Sequence, residues 1–176
     1  MTNTQSQSWR IGAAGAVVHQ GRVLLVRHTY GEKQGRWALP GGLARPQERV
    51  DQTVIRELRE ETGLEVEIVD LIGLRTRSSD EEGALFLLFR VRPLSGEAAV
   101  RSQELDRIGW FSLPEIEAMD DQALLLVARN AARAALQGRA GLGEDLAFPE
   151  RGPHYRGFLV KWGARSDLAT DAQAGC

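Results

Sequence analysis

Hydrophobic and polar positions along the chain alternate between short β-like runs and one long helical stripe. Residues 11–19 (IGAAGAVVH) and 22–27 (RVLLVR) are apolar and β-prone. Only Gln20 and Gly21 separate them, which predicts a tight hairpin. A further short run at 37–39 ends in Pro40, Gly41 and Gly42, a strong turn signal.

The pattern then changes period. Val50, Val54 and Leu58 recur every four residues and Ile55 widens the stripe, predicting a helix over 50–62 with Gly63 as its left-handed C-cap. No Ser or Thr stands before Val50 to cap the helix, although Asp51 suits its first turn. Strands follow at 66–74, 84–91 and 107–111, with a polar loop at 76–83. Helices are predicted at 113–119 and 122–136. The expected class is α/β in the broad sense (α+β), a mixed sheet with helices packed on its faces.

Composition narrows the chemistry. The chain has 176 residues, 22 Lys+Arg against 24 Asp+Glu, and a net charge of −2. That balance argues against a dedicated nucleic-acid binder. The one cysteine is Cys176, and His19, His28 and His154 show no zinc-like spacing, so thiolate metal sites and disulfides are not expected. The polar start lacks the apolar core of a signal peptide and no run is long enough to span a bilayer, so a cytoplasmic protein without membrane contact is expected. The last 40 or so residues turn glycine-rich and then basic and aromatic. The chain therefore reads as one domain, 1–137, with a C-terminal extension, 138–176, that packs on it or is partly disordered.

The distinctive stretch is 41–64, GGLARPQERVDQTVIRELREETGL. Glu57, Glu60 and Glu61 lie at i, i+3 and i+4 and crowd one side of the predicted helix, where like charges repel. Arg56 offsets part of this by reaching Glu60, and a hard divalent cation with oxygen ligands would offset far more. Gly42, Glu48, Arg56, Glu57, Leu58, Glu60, Glu61, Gly63 and Leu64 meet every fixed position of the Nudix box, GX5EX7REUXEEXGU. The chain thus resembles the MutT-like Nudix hydrolases over roughly 9–136. The lead-in Leu39-Pro40-Gly41-Gly42 and the downstream Glu104, Trp110-Phe111 and Leu113-Pro114-Glu115 are similar to that family as well.

The resemblance implies an α/β/α sandwich with a loop-helix-loop metal site. It implies Mg²⁺ (or Mn²⁺) held by Glu57, Glu60, Glu61 and the Gly41 carbonyl, with Arg56 and Glu48 as a supporting ion pair. Glu104 would be the carboxylate from outside the box, and Glu60 or Glu104 the general base. The implied reaction is hydrolysis of the pyrophosphate linkage of a nucleoside diphosphate joined to another moiety. The partner is then a small nucleotide, with a homodimer possible. Arg27, at the end of the second strand, is a candidate phosphate contact. Tyr30, Trp37, Phe86 and Phe89 could stack on a base but suit a core better, and His28 is expected at the surface.

Two departures stand out. Gln47 occupies a position where the family often has glycine, so the loop to Glu48 is expected to take its own path. The proline and tyrosine that mark ADP-ribose and diadenosine polyphosphate hydrolases are absent from the region of Thr76, Arg77, Ser78, Ser79 and Asp80, and so is the NADH signature. The substrate stays open among nucleoside triphosphates, ADP-ribose, nucleotide sugars and dinucleotides. Alternatives are a non-catalytic Nudix-fold nucleotide-binding regulator and an RNA pyrophosphohydrolase. The basic, aromatic tail (Arg151, His154, Tyr155, Arg156, Lys161, Trp162) gives the latter some motive.

Overall fold

A computed structural model describes residues 8–79, 82–138, 142–145 and 155–160. Strand β1 (Ser8–His19) turns through Gln20 (φ 48°) and Gly21 (φ 71°) into β2 (Arg22–His28). Two consecutive left-handed residues match the twist of a hairpin, and glycine supplies the second without cost. Only His19↔Arg22 and Val18↔Val23 pair in this hairpin. Beyond it the strands diverge. β1 pairs in parallel with β6 (Glu82–Ser95), while β2 pairs with β7 (Leu105–Ser112) and with the short β3 (Trp37–Ala38).

β5 (Glu65–Ser78) runs antiparallel to β6, and β4 (Gly41–Leu43) returns antiparallel to β1. The described pieces of the extension, β8 (Leu142–Asp145) and β9 (Tyr155–Val160), pair with each other and add to the free edge of β5. Arg151, His154, Lys161 and Trp162 lie outside the described residues. The result is the expected mixed sheet of an α+β fold.

β1 alternates between two cores. Ala13 and Val17 face α1 (Val50–Thr62), whose Val54 and Leu58 are fully buried with Leu24, Phe89 and Val91. Each such burial contributes about 1.5–3 kcal/mol and seats the helix on the sheet. A Cβ on Gly15 would fall 2.7 Å from Leu58 Cδ1, so the absent side chain sets how closely α1 approaches. Ala14 and Ala16 face the other way, toward α2 (Leu113–Ala118) and the alanine-rich α3 (Leu126–Leu136). Helices therefore cover both faces.

Three expectations need correction. The polar segment 76–83 is not a loop over most of its length, since β5 and β6 continue through Arg77↔Ala84 and Ser78↔Gly83. Pairing of Ser8 with Glu82 extends β1 alongside, a long-range support that local polarity cannot show. Residues 122–125 are not helical, because Trp37 donates to Ala123 O at 2.7 Å and Leu125 donates to Trp37 O at 3.0 Å. His28 is buried, at 7% exposure, rather than at the surface. Burial drives its pKa down to about 4, so it is neutral at physiological pH.

Candidate metal site and adjoining cleft

The helix predicted over 50–62 is α1, and Gly63 closes it at φ 76°. Its N-terminus is capped in an unusual way. The Arg49 amide donates to the Gln52 side chain at 3.2 Å, which is one half of a capping box.

Arg56 organises the helix face. Its Nε and Nη2 donate to Glu48 at 2.7 and 2.9 Å, and Nη1 donates to Glu57 at 2.7 Å and Glu60 at 3.1 Å. The fork holds Glu48 well below the usual carboxylate range, at about 2, with the Arg45 amide and Thr53 hydroxyl assisting. Glu48 stays within reach of Arg56 because Gln47 adopts φ 68°. The loop thus keeps the path a glycine would take, at a cost of about 1–2 kcal/mol for a left-handed side-chain-bearing residue.

The glycine pair explains where the carboxylates go. A Cβ on Gly41 would lie 2.5 Å from Ala14 Cα, and its φ of 150° suits glycine. A Cβ on Gly42 would fall 2.5 Å from Glu57 Oε1, so the bare backbone leaves room for that carboxylate. Glu61, 5% exposed, accepts a hydrogen bond from the Gly41 amide at 2.9 Å. Burial, and then the nearby charges of Glu57 and Glu104, push the Glu61 carboxyl up to about 8 despite that hydrogen bond and Lys33. Glu104 arrives from the approach to β7, where its carbonyl accepts from the Thr29 amide at 2.9 Å. The Glu104 carboxylate also raises the pKa of the Tyr30 phenol.

Glu60 is placed differently. It lies at 3.0 Å from Arg45 and is half-exposed. Among the described residues no three carboxylates already enclose one point. Glu57, Glu61 and Glu104 share one electrostatic neighbourhood, while Glu60 would have to release Arg45 to join them. The donor set still fits a hard divalent cation. It is all oxygen, and a buried carboxyl pushed to about 8 is the group whose ionised form a cation would stabilise.

The β4 end of this site opens onto the opposite face of the sheet, into a cleft of about 320 Å³. Register builds its floor. Leu43, Gly12, Phe86 and Arg75 stand in one row across four strands, and Arg10, Ala84 and Arg77 form the next row on the same face. Gly12 has no side chain because a Cβ would meet the Phe86 ring at 2.6 Å. Arg75 lies over that ring at 4.7 Å. Lys33 and Arg36 form a wall, and Leu125 and Val127 border α3. Arg36 is fixed by donating to Gln122 O at 3.1 Å and Asp121 O at 2.9 Å.

Arg27 does not border this cleft. Its guanidinium is held side-on by Asp106. Of the aromatic candidates, Phe89 is core, Trp37 packs edge-on to Phe111 and Tyr30 is exposed; Phe86 alone of the four borders the cleft. Lys33, Arg36 and Arg75 escaped the sequence reading. Strand alternation from Arg77 would have put Arg75 on the same face, but nothing local marks Lys33.

A glutamate-bearing helix seated against a Gly-Gly turn in a mixed sheet defines an α+β protein with a candidate cation site. A family model, the NUDIX domain, matches residues 9–135, and the chain belongs to the Nudix family. It is 27% identical over 161 residues to human nucleoside diphosphate-linked moiety X motif 6, covering 88% of this chain and 50% of that protein. It is 35% identical over 107 residues to a MutT-like protein of Streptomyces ambofaciens, covering 60% of this chain and 66% of that one. The chain thus spans about half to two thirds of these two curated relatives. A MutT NUDIX hydrolase structure from Burkholderia pseudomallei superposes with a TM-score of 0.64 at 28% identity, covering 73% of this chain and 98% of the other.

Proposed function

We propose that this chain hydrolyses the pyrophosphate linkage of a nucleoside diphosphate joined to another moiety, using Mg²⁺ or Mn²⁺. The observation that carries this reading is the contact between two opposite electrostatic environments. Glu57, Glu61 and Glu104 share one electrostatic neighbourhood with Lys33, and Lys33 also borders the cleft that holds Arg10, Arg36, Arg75 and Arg77 against the lone acid Glu32. A polyanion suits the basic side and cations suit the acidic one.

Glu57, Glu60, Glu61 and the Gly41 carbonyl would hold the metal. When bound, a divalent cation supplies charge neutralisation at phosphate and a more acidic water. The chain's own residues do the rest. Glu104 or Glu60, both exposed to solvent, takes the water's proton. Arg56 ties the helix face to Glu48 and to the Leu43 carbonyl of β4. Arg75 and Phe86 give a base or sugar a flat cationic surface to lie on. A non-catalytic regulator is disfavoured because every box glutamate is present.

A phosphate-release screen across nucleoside triphosphates, ADP-ribose, nucleotide sugars, dinucleotides and 5′-triphosphorylated RNA tests this reading. Turnover that requires Mg²⁺ or Mn²⁺ is expected. Silence across the panel with either metal would overturn it, and turnover of RNA alone would move the assignment to the RNA pyrophosphohydrolase class.

A further inference from the structure

Lys33 ends the single 3-10 turn Gly31–Lys33 that follows β2. Its side chain borders both the inner recess beside Ala14, Gly41 and Leu88 and the wider cleft beside Arg36 and Phe86. It therefore stands at the junction of the acidic site and the basic cleft. Its charge is felt by Glu61, Glu104 and Glu57 on one side and by Arg75 on the other. Burial and Arg75 lower its pKa, and the three glutamates oppose that shift.

The neighbouring cations are engaged. Arg10 and Arg77 meet Glu82, Arg36 meets backbone carbonyls and Arg75 lies on Phe86. Among the described residues the Lys33 ammonium has no hydrogen-bond or ion-pair partner. A half-buried ammonium without a partner costs free energy that an incoming anion would recover. A lysine stem with several rotatable bonds lets the charge swing between two such neighbours.

Resting on the hydrolase reading above, we propose that Lys33 makes two alternating electrostatic contacts. In the metal-free protein its ammonium is the longer-range counter-charge of Glu57, Glu61 and Glu104, short of an ion pair. In the substrate complex it turns into the cleft and donates to the phosphate that departs. In that step the water oxygen bonds to phosphorus, its proton passes to the carboxylate base, and the bridging P–O bond breaks. The electron pair leaves with the bridging oxygen, and Lys33 N–H groups meet the charge developing there without transferring a proton.

The two contacts predict effects of opposite sign. In the full chain, Lys33→Met removes a positive charge from the carboxylates and should tighten Mn²⁺ binding about tenfold in calorimetry without nucleotide. The same variant should bind magnesium pyrophosphate about tenfold more weakly and lower kcat about 100-fold. Lys33→Arg should restore most of the pyrophosphate affinity, and Lys33→Gln checks the result if the methionine variant folds poorly. A purely structural role would weaken both ligands together, and that result overturns the proposal, as would Mn²⁺ and pyrophosphate affinities both unchanged in Lys33→Met. Opposite shifts in a chain that turns over no nucleotide would sustain the two contacts and overturn the hydrolase reading separately.

Discussion

The Gly41 amide donates to Glu61 Oε2 at 2.9 Å, tying the end of α1 to a strand 20 residues earlier in the chain. The bond holds a buried carboxylate beside two others. Its proton affinity follows, raised from an ordinary 4.5 to about 8. Between those values the metal-free folded chain keeps a proton that the unfolded chain releases. This contribution to stability is fully present below pH 4.5 and is lost as pH rises through 8. Denaturant midpoints measured in chelator should fall by the equivalent of a few kcal/mol across that window, and Glu61→Gln should flatten the slope. A wild-type midpoint that climbs over the same interval would contradict the assignment.

Metal binding should show the reverse linkage. A cation needs Glu61 ionised, so binding at pH 7 should release close to one proton and tighten as pH approaches 8. Calorimetry in buffers of different ionisation enthalpy reads the proton directly. Release of none would place the metal away from Glu61.

Arg56 touches Glu48, Glu57, Glu60 and the Leu43 carbonyl. Arg56→Gln leaves three carboxylates without their shared cation and should cost about 2–4 kcal/mol in chelator. Arg56→Lys keeps the charge but not the fork, and about half of the loss should persist. Chemical denaturation checks both.

Glu60 is half-exposed and bound to arginines rather than packed in the core. Glu60→Gln should therefore change stability by less than about 1 kcal/mol. Metal-dependent turnover should nevertheless fall by about 100-fold or more, since even supporting groups around a metal are worth 10–100-fold. Unchanged turnover would remove Glu60 from the chemistry.

Gly42→Ala tests the fit of Glu57 against β4. The new Cβ would lie 2.5 Å from Glu57 Oε1, so the carboxylate must turn away. Mn²⁺ affinity should drop about 10-fold or more with the far-UV spectrum unchanged. An unaffected Mn²⁺ isotherm would show that Glu57 is not held there.

Gln47 pays for its left-handed backbone. At φ 68°, Gln47→Gly should raise stability by about 0.5–1 kcal/mol, the strain relieved exceeding the added chain entropy. A lower melting temperature would show that the glutamine side chain carries a contact of its own.

Much of the fold was legible locally. The four-residue stripe of Val50, Val54 and Leu58 located α1 at its observed bounds, because a helix that buries one face must write that period into the chain. The Gln20-Gly21 turn worked for the same reason, a backbone demand met by the residues at hand. The ion pair between Glu48 and Arg56 that the family resemblance implies is present in the fold. Local polarity misleads at 76–83, where the β5–β6 hairpin continues through Ser78↔Gly83 with distant β1 alongside, and at 122–125, where Trp37 holds the chain in extended pairing.

The sequence by itself determined the glutamate helix, its glycine turn and the hairpin, because each depends on spacings of a few residues. Tertiary structure alone decided that Glu61 is buried against Gly41 and that Glu60 is held by Arg45. It also decided that Arg27 belongs to Asp106, while Lys33, Arg36 and Arg75 line the cleft. Those are outcomes of register across β1, β5 and β6 and of loop docking. Charge, burial and partner at such positions depend on residues that the sequence leaves dozens of places apart.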